Sequence, residues 1–101
     1  MTDIKAAAKA IILSEANWCM GASARDSNGL PVAPMHPDAV QWDVEGALRK
    51  AWVESNDPDF STLNAARAAI RANIPPTFKS EDTAAYQDSV DHATMLAVLF
   101  A

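Results

Sequence analysis

The chain reads as all-α: a bundle of four to five helices with an irregular or short β-hairpin insert at about 18–34. Three observations predict this. Apolar side chains recur at helical spacing in several separate stretches. Alanine, the strongest helix former, supplies 21 of the 101 residues. Pro, Gly, Asn and Asp gather between the periodic stretches rather than within them. The length suits one helical domain over 1–101.

The first helix is expected from Asp3 to Asn17. Ile4, Ala7, Ala8, Ile11 and Ile12 form one stripe, and Thr2 or Asp3 caps it. The stretch NWCMGASARDSNGLPV, residues 17–32, breaks the helical pattern. Asn28-Gly29 suits the positive φ of a tight turn. The flanking runs fit a small hairpin, in which Pro31 confines the second arm to an edge, or an ordered loop. HPDAV then predicts a helix start, with His36 at the cap, Pro37 in the first position and Asp38 beside it. Val40, Val44, Ala47, Leu48, Ala51 and Trp52 give this second helix its apolar face, and Glu45 and Arg49 make an i,i+4 pair.

Asp57-Pro58 opens a third helix carrying Leu63, Ala66, Ile70 and Ile74, which Pro75-Pro76 stop. From Ser80 onward the chain is one helix or two. Val90, Ala93, Ala97 and Phe100 predict a last helix over about 89–100, capped by Asp88 or Ser89.

Charge narrows the function. The net charge is −5. Residues 1–79 hold nine acids against eight bases, whereas 80–101 carry Glu81, Asp82, Asp88 and Asp91 with no Lys or Arg. Such a chain is a poor direct ligand for nucleic-acid phosphates, which recruit Lys and Arg. It suits a partner with a basic surface, or simple solubility. One cysteine forms no internal disulfide, and no 18-residue apolar run is present, so the expectation is a cytoplasmic protein without membrane contact.

Chemistry-bearing patterns are sparse. Cys19, His36 and His92 stand alone, at no metal-ligand spacing, and no motif calls for a cofactor. Cys19 as a nucleophile needs a base and a lowered pKa; a lone Cys beside a Trp reads more readily as a small buried hydrophobe. Arg67 and Arg71 lie four apart on one helix face, either as an anion-binding strip or as a solvated face. Trp52 falls on the buried stripe of helix two. Trp42 lies off it and is expected to flank the core or cover the insert. Trp18 closes helix one, with Gly21 permitting close backbone approach.

These residues carry a resemblance. Trp18-x-x-Gly21-Ala22-x-Ala24-x-Asp26-x-x-Gly29-x-Pro31-Val32, then Ala39-x-x-Trp42-x-x-x-Gly46-Ala47-Leu48, then the segment from Tyr86, resemble a small uncharacterised family of bacterial and phage proteins. Asp43 stands where that pattern has Cys, and Tyr86-Gln87-Asp88 replaces an aromatic-Asn-Asp turn. The resemblance implies a break near Gln87 and a bacterial or phage origin, but no activity.

The leading expectation is a non-enzymatic phage or mobile-element protein that docks on a host protein. Such a protein is expected to act as an anti-defence inhibitor of the anti-CRISPR type, on a basic nucleic-acid-binding complex. The contact residues expected are Arg25 and Asp26 at the insert tip, with Glu81, Asp82, Asp88 and Asp91. Trp18, Gly21, Gly29, Trp42, Gly46 and Trp52 are expected to be structural. A ligand-binding domain or enzyme using Cys19, Arg25, Asp26 and His36 is the second reading, and a structural homodimer is the third.

Overall fold

The computed structural model describes residues 3–101. Among these residues five helices surround one core, with a three-stranded antiparallel sheet laid against them. The molecule measures 38 × 33 × 19 Å.

Helix α1 spans Ile4–Ile11, and Asp3 caps it by accepting the Ala6 N–H at 3.1 Å. Thr2, the other cap expected, lies outside the described residues. The helix stops well short of Asn17. Ile12 is the last apolar side chain of the stripe to be buried, and Leu13 already points to solvent. The Ile12 carbonyl, left without a helical partner, bonds His92 Nε2 at 2.8 Å. Tertiary contact thus ends the helix, and a 3₁₀ turn at Glu15–Asn17 leads into the insert.

The insert forms strands β1 (Ala24–Arg25), β2 (Pro31–Val32) and β3 (Gln41–Trp42), in the order β2-β1-β3. Ala24 pairs with Val32 on one side and Trp42 on the other. The hairpin arm containing Pro31 is an edge strand, where a missing N–H costs nothing. Its turn is an Asx turn: Asp26 Oδ1 accepts the N–H groups of Asn28 and Leu30 at 2.9 and 3.0 Å. Beyond β3, Trp18 pairs with Trp42 in a parallel bridge, so the chain leaving α1 covers that edge.

The second helix does not begin at Pro37. His36 Nδ1 accepts the Asp38 N–H at 3.0 Å, which closes a turn and not a helix. Residues 41–42 are recruited to the sheet, so α2 runs from Val44 to Glu54 with Asp43 as its cap. Val40, expected on the buried stripe, is exposed for the same reason. Asn56, in left-handed conformation (φ 59°), turns the chain beyond the helix.

Helix α3 spans Phe60–Ala72, capped by Asp59 rather than opened directly by Asp57-Pro58. Helix α4 is Thr83–Gln87, and α5 is His92–Leu99, capped by Asp91. The last segment is therefore two helices with a break after Gln87. Neither Asp88 nor Ser89 caps α5, because the Ser89 hydroxyl donates to the Tyr86 carbonyl at 2.7 Å and closes α4 instead.

The core joins Ile4, Ala8 and Ile12 of the first segment to Val44, Ala47, Leu48 and Ala51 of α2, then to Leu63, Ala66 and Ile70 of α3 and Met95 and Leu99 of α5. Alanines where α1 meets α2 let the two backbones approach closely. Trp52, expected within the core, is only half-buried at its margin. Its indole N–H donates to the Asp59 carbonyl at 3.2 Å, and its ring meets Phe60 edge-on with centroids 5.5 Å apart. Being near the C-terminal end of α2, it is drawn toward the α2–α3 turn. No helix among the described residues is long and apolar enough to cross a membrane.

Candidate functional site

The insert and the seam that holds it to the helices form the most differentiated region of the chain. The seam is built on Gln87, which is 1% exposed. Its Oε1 accepts both the Trp18 indole N–H and the Val44 backbone N–H, each at 3.1 Å, and its Nε2 donates to Asp88 at 2.8 Å. One amide side chain from α4 therefore ties the exit of α1 to the first turn of α2. The Trp18 ring also packs on His92, with centroids 5.5 Å apart.

Asp43 completes the seam. Its carboxylate accepts the Gly46 N–H at 2.6 Å, while its own N–H donates to the Ser23 carbonyl at 3.1 Å. Burial pushes its pKa up to about 6, outweighing the lowering by the Gly46 N–H; the Glu45 and Asp88 charges push the same way as burial. Gly46 has no room for a side chain, since a Cβ there would stand 1.9 Å from the Ser23 oxygen. Gly46 thus sets how closely the insert sits on α2.

Within the insert, Arg25 acts as an internal clip. Its guanidinium donates to the Met20 carbonyl at 2.9 and 3.3 Å and to the Gly29 carbonyl at 2.8 Å. Gly21 and Gly29 both take left-handed conformations, with φ of 80° and 79°. Trp42 is half-buried, donates to the Pro34 carbonyl at 2.9 Å, and carries Lys50 over its ring at 5.2 Å. Arg25 and Asp26 thus lie together, as their sequence positions require, with their polar atoms engaged in holding the loop. The insert shows large apolar side chains to solvent among polar ones: Leu30 is 60% exposed, and Met20, Met35 and Val40 face outward beside the exposed Ser27, Asn28, His36 and Asp38.

Cys19 is buried, and its thiol donates weakly to the Ala22 carbonyl at 3.5 Å. Burial, then the Asp43 carboxylate, push its pKa up to about 11 against the pull of Arg25, so the thiol stays protonated at neutral pH. His36 is exposed and His92 buried, and no group of three or more His, Cys, Asp or Glu among the described residues could hold a metal.

The four C-terminal acids do not make one field. Asp82 caps α4 by accepting the Ala84 N–H at 3.0 Å, and Asp88 accepts from Gln87. Asp91 caps α5, and hydrogen bonds from Thr94 hold its carboxyl below the usual range. Glu81 and Asp82 come together at a cleft opposite Arg67 and Arg71 of α3. Arg67 is anchored there by an ion pair with Glu45, and Arg71 is exposed.

Sequence reasoning missed Gln87 and Asp43 as the structural centres of the seam. Asp43 had a signal, an Asp three residues before Gly at a helix start. Gln87 had none, because its bonds span 69 and 43 residues along the chain.

Comparison with known proteins gives a family without an activity. Neither the curated proteins nor the solved structures contain a match to this chain. A family model does match, over residues 1–100, and the chain belongs to the family of unknown function DUF6197.

Proposed function

We propose that this protein is a non-enzymatic docking protein that binds a host protein through its insert. The observation that carries the reading is a braced loop displaying apolar side chains. Arg25, Asp26 and the Gln87 seam hold the insert in shape, while Leu30, Met35 and Val40 remain exposed. Exposed apolar side chains on a pre-shaped loop suit protein association, because little conformational entropy is lost on binding. Arg25 and Asp26 act in this reading by positioning the loop.

A finer form of the proposal makes the partner a basic nucleic-acid-binding defence complex and the protein its inhibitor, of phage or mobile-element origin. Its support is the acidity of residues 80–101 and the net charge of −5. Glu81 is exposed, and so are Asp82, Asp88 and Asp91, although each of these three also holds local structure.

The test is quantitative affinity capture from bacterial lysate with the wild type, a Leu30→Ser/Val40→Ser double variant and a Glu81→Gln variant. A stoichiometric protein that the double variant loses supports docking through the insert. Its loss from Glu81→Gln alone moves the contact to the acidic end. Capture unaffected by either set, or no stoichiometric partner at all, overturns the reading.

A further inference from the structure

A cleft of about 620 Å³ lies between the C-terminal half of α3 and the segment that follows it. We infer that this cleft binds a small organic monoanion with an apolar body, held by Arg71 and Lys79.

Charge pairing points there first. Lys5 bonds the Ala101 carbonyl, Arg25 bonds loop carbonyls, Lys50 pairs with Glu54, and Arg67 pairs with Glu45. Among the described residues Lys9, Arg49, Arg71 and Lys79 have no such partner, and of these four Arg71 and Lys79 come together in the lining of this cleft. With Glu81 as its one acid, the lining carries one net positive charge in a chain of −5. A single negative charge is what it lacks. Apolar side chains make up part of the lining: Ile74 is buried, and Phe78 is half-buried against Tyr86, edge-on with centroids 5.0 Å apart. Ala68 and Ala72 keep the α3 wall low. The volume falls within the range of small-molecule sites, which combine an apolar lining with a few placed polar groups.

The probe is anilinonaphthalene sulfonate, an aromatic monoanion, titrated by fluorescence and by amide chemical-shift mapping. Uncharged phenylnaphthylamine serves as the comparison. The expected result is one-to-one binding, with shifts centred on Ala72, Phe78 and Lys79. Arg71→Gln and Lys79→Gln should each weaken sulfonate binding about fivefold, as expected for one Coulomb contact near water. They should leave the neutral analogue unchanged. Arg49→Gln, which removes the same charge elsewhere on the surface, should have no effect. Shifts centred outside the cleft, or equal weakening by Arg49→Gln, would overturn the assignment. Folding of every variant is checked by its far-ultraviolet circular dichroism melt.

Discussion

Asp43 concentrates more physics than any other residue. A carboxylate at a helix start normally gains from the N–H groups it faces. Here burial dominates, and the pKa rises from 3.8 to about 6. The folded form therefore holds the proton more tightly than the unfolded chain. Its contribution is most favourable below pH 3.8, weakens as pH rises toward 6, and is least favourable above that. The shift corresponds to an ionisation cost on the order of 2–3 kcal/mol. Asp59 and Asp91 act in the opposite sense: hydrogen bonds from Ser61 and Thr94 lower their pKa values, so their contribution is lost as pH falls through the acid range. Asp43→Asn keeps a capping oxygen and removes the buried charge. Urea unfolding across pH 4 to 8 should show the variant gaining on the wild type as pH rises, by about 2 kcal/mol at the top. A stability difference between variant and wild type that stays constant from pH 4 to 8 would show that the carboxylate is not the destabilised form.

At the scale of elements, the insert depends on two glycines for different reasons. Gly46 is helical in α2 and abuts the Ser23 carbonyl, whereas Gly29 sits at the hairpin turn with φ 79° and open space around its Cα. Gly46→Ala must push the insert off α2, breaking the Asp43-to-Ser23 bond, at a cost of about 3 kcal/mol or more. Gly29→Ala meets only left-handed backbone strain, about 1–2 kcal/mol. Hydrogen exchange separates them: Gly46→Ala should expose the amides of Cys19 and Asp43, and Gly29→Ala should not. The elements themselves divide by locality. The stripes Ile4–Ile12, Val44–Ala51 and Leu63–Ile70 were legible because each lies within one helix or its cap. Starts and stops were less so. The Ile12 carbonyl ends its helix on a histidine 80 residues away, and residues 41–42 leave the second helix because β1 offers them a ladder.

At the scale of the molecule, few large side chains hold everything together. A radius of gyration of 12.8 Å matches a compact chain of this length. Leu48, 1% exposed, lies at the heart of this small core. Leu48→Ala should cost about 3 kcal/mol, a large part of the ~5–10 kcal/mol expected of such a domain. Because the Gln87 seam joins the insert to α2 and α4, tryptophan fluorescence and far-ultraviolet circular dichroism should report one shifted transition. Separate transitions would mean that the insert unfolds independently of the helices.

The sequence by itself determined the helical class, the apolar stripes of the first three helices and a tight turn near Gly29. All of these follow from forces acting over a few residues: periodic burial and turn chemistry. It left the insert open between hairpin and loop. It also put exposed Ala93 and Ala97 on the stripe of the last helix, whose buried side chains are His92, Met95 and Leu99. Only the tertiary structure decided the rest. It replaced the expected helix start at Pro37 with a third strand, turned Arg25 and Asp26 into loop braces, and divided the C-terminal acids among caps, a seam and a cleft. The reason is that a buried polar group must find its partner wherever the fold places one. Gln87 and His92 found theirs across distances in the chain that no local pattern records.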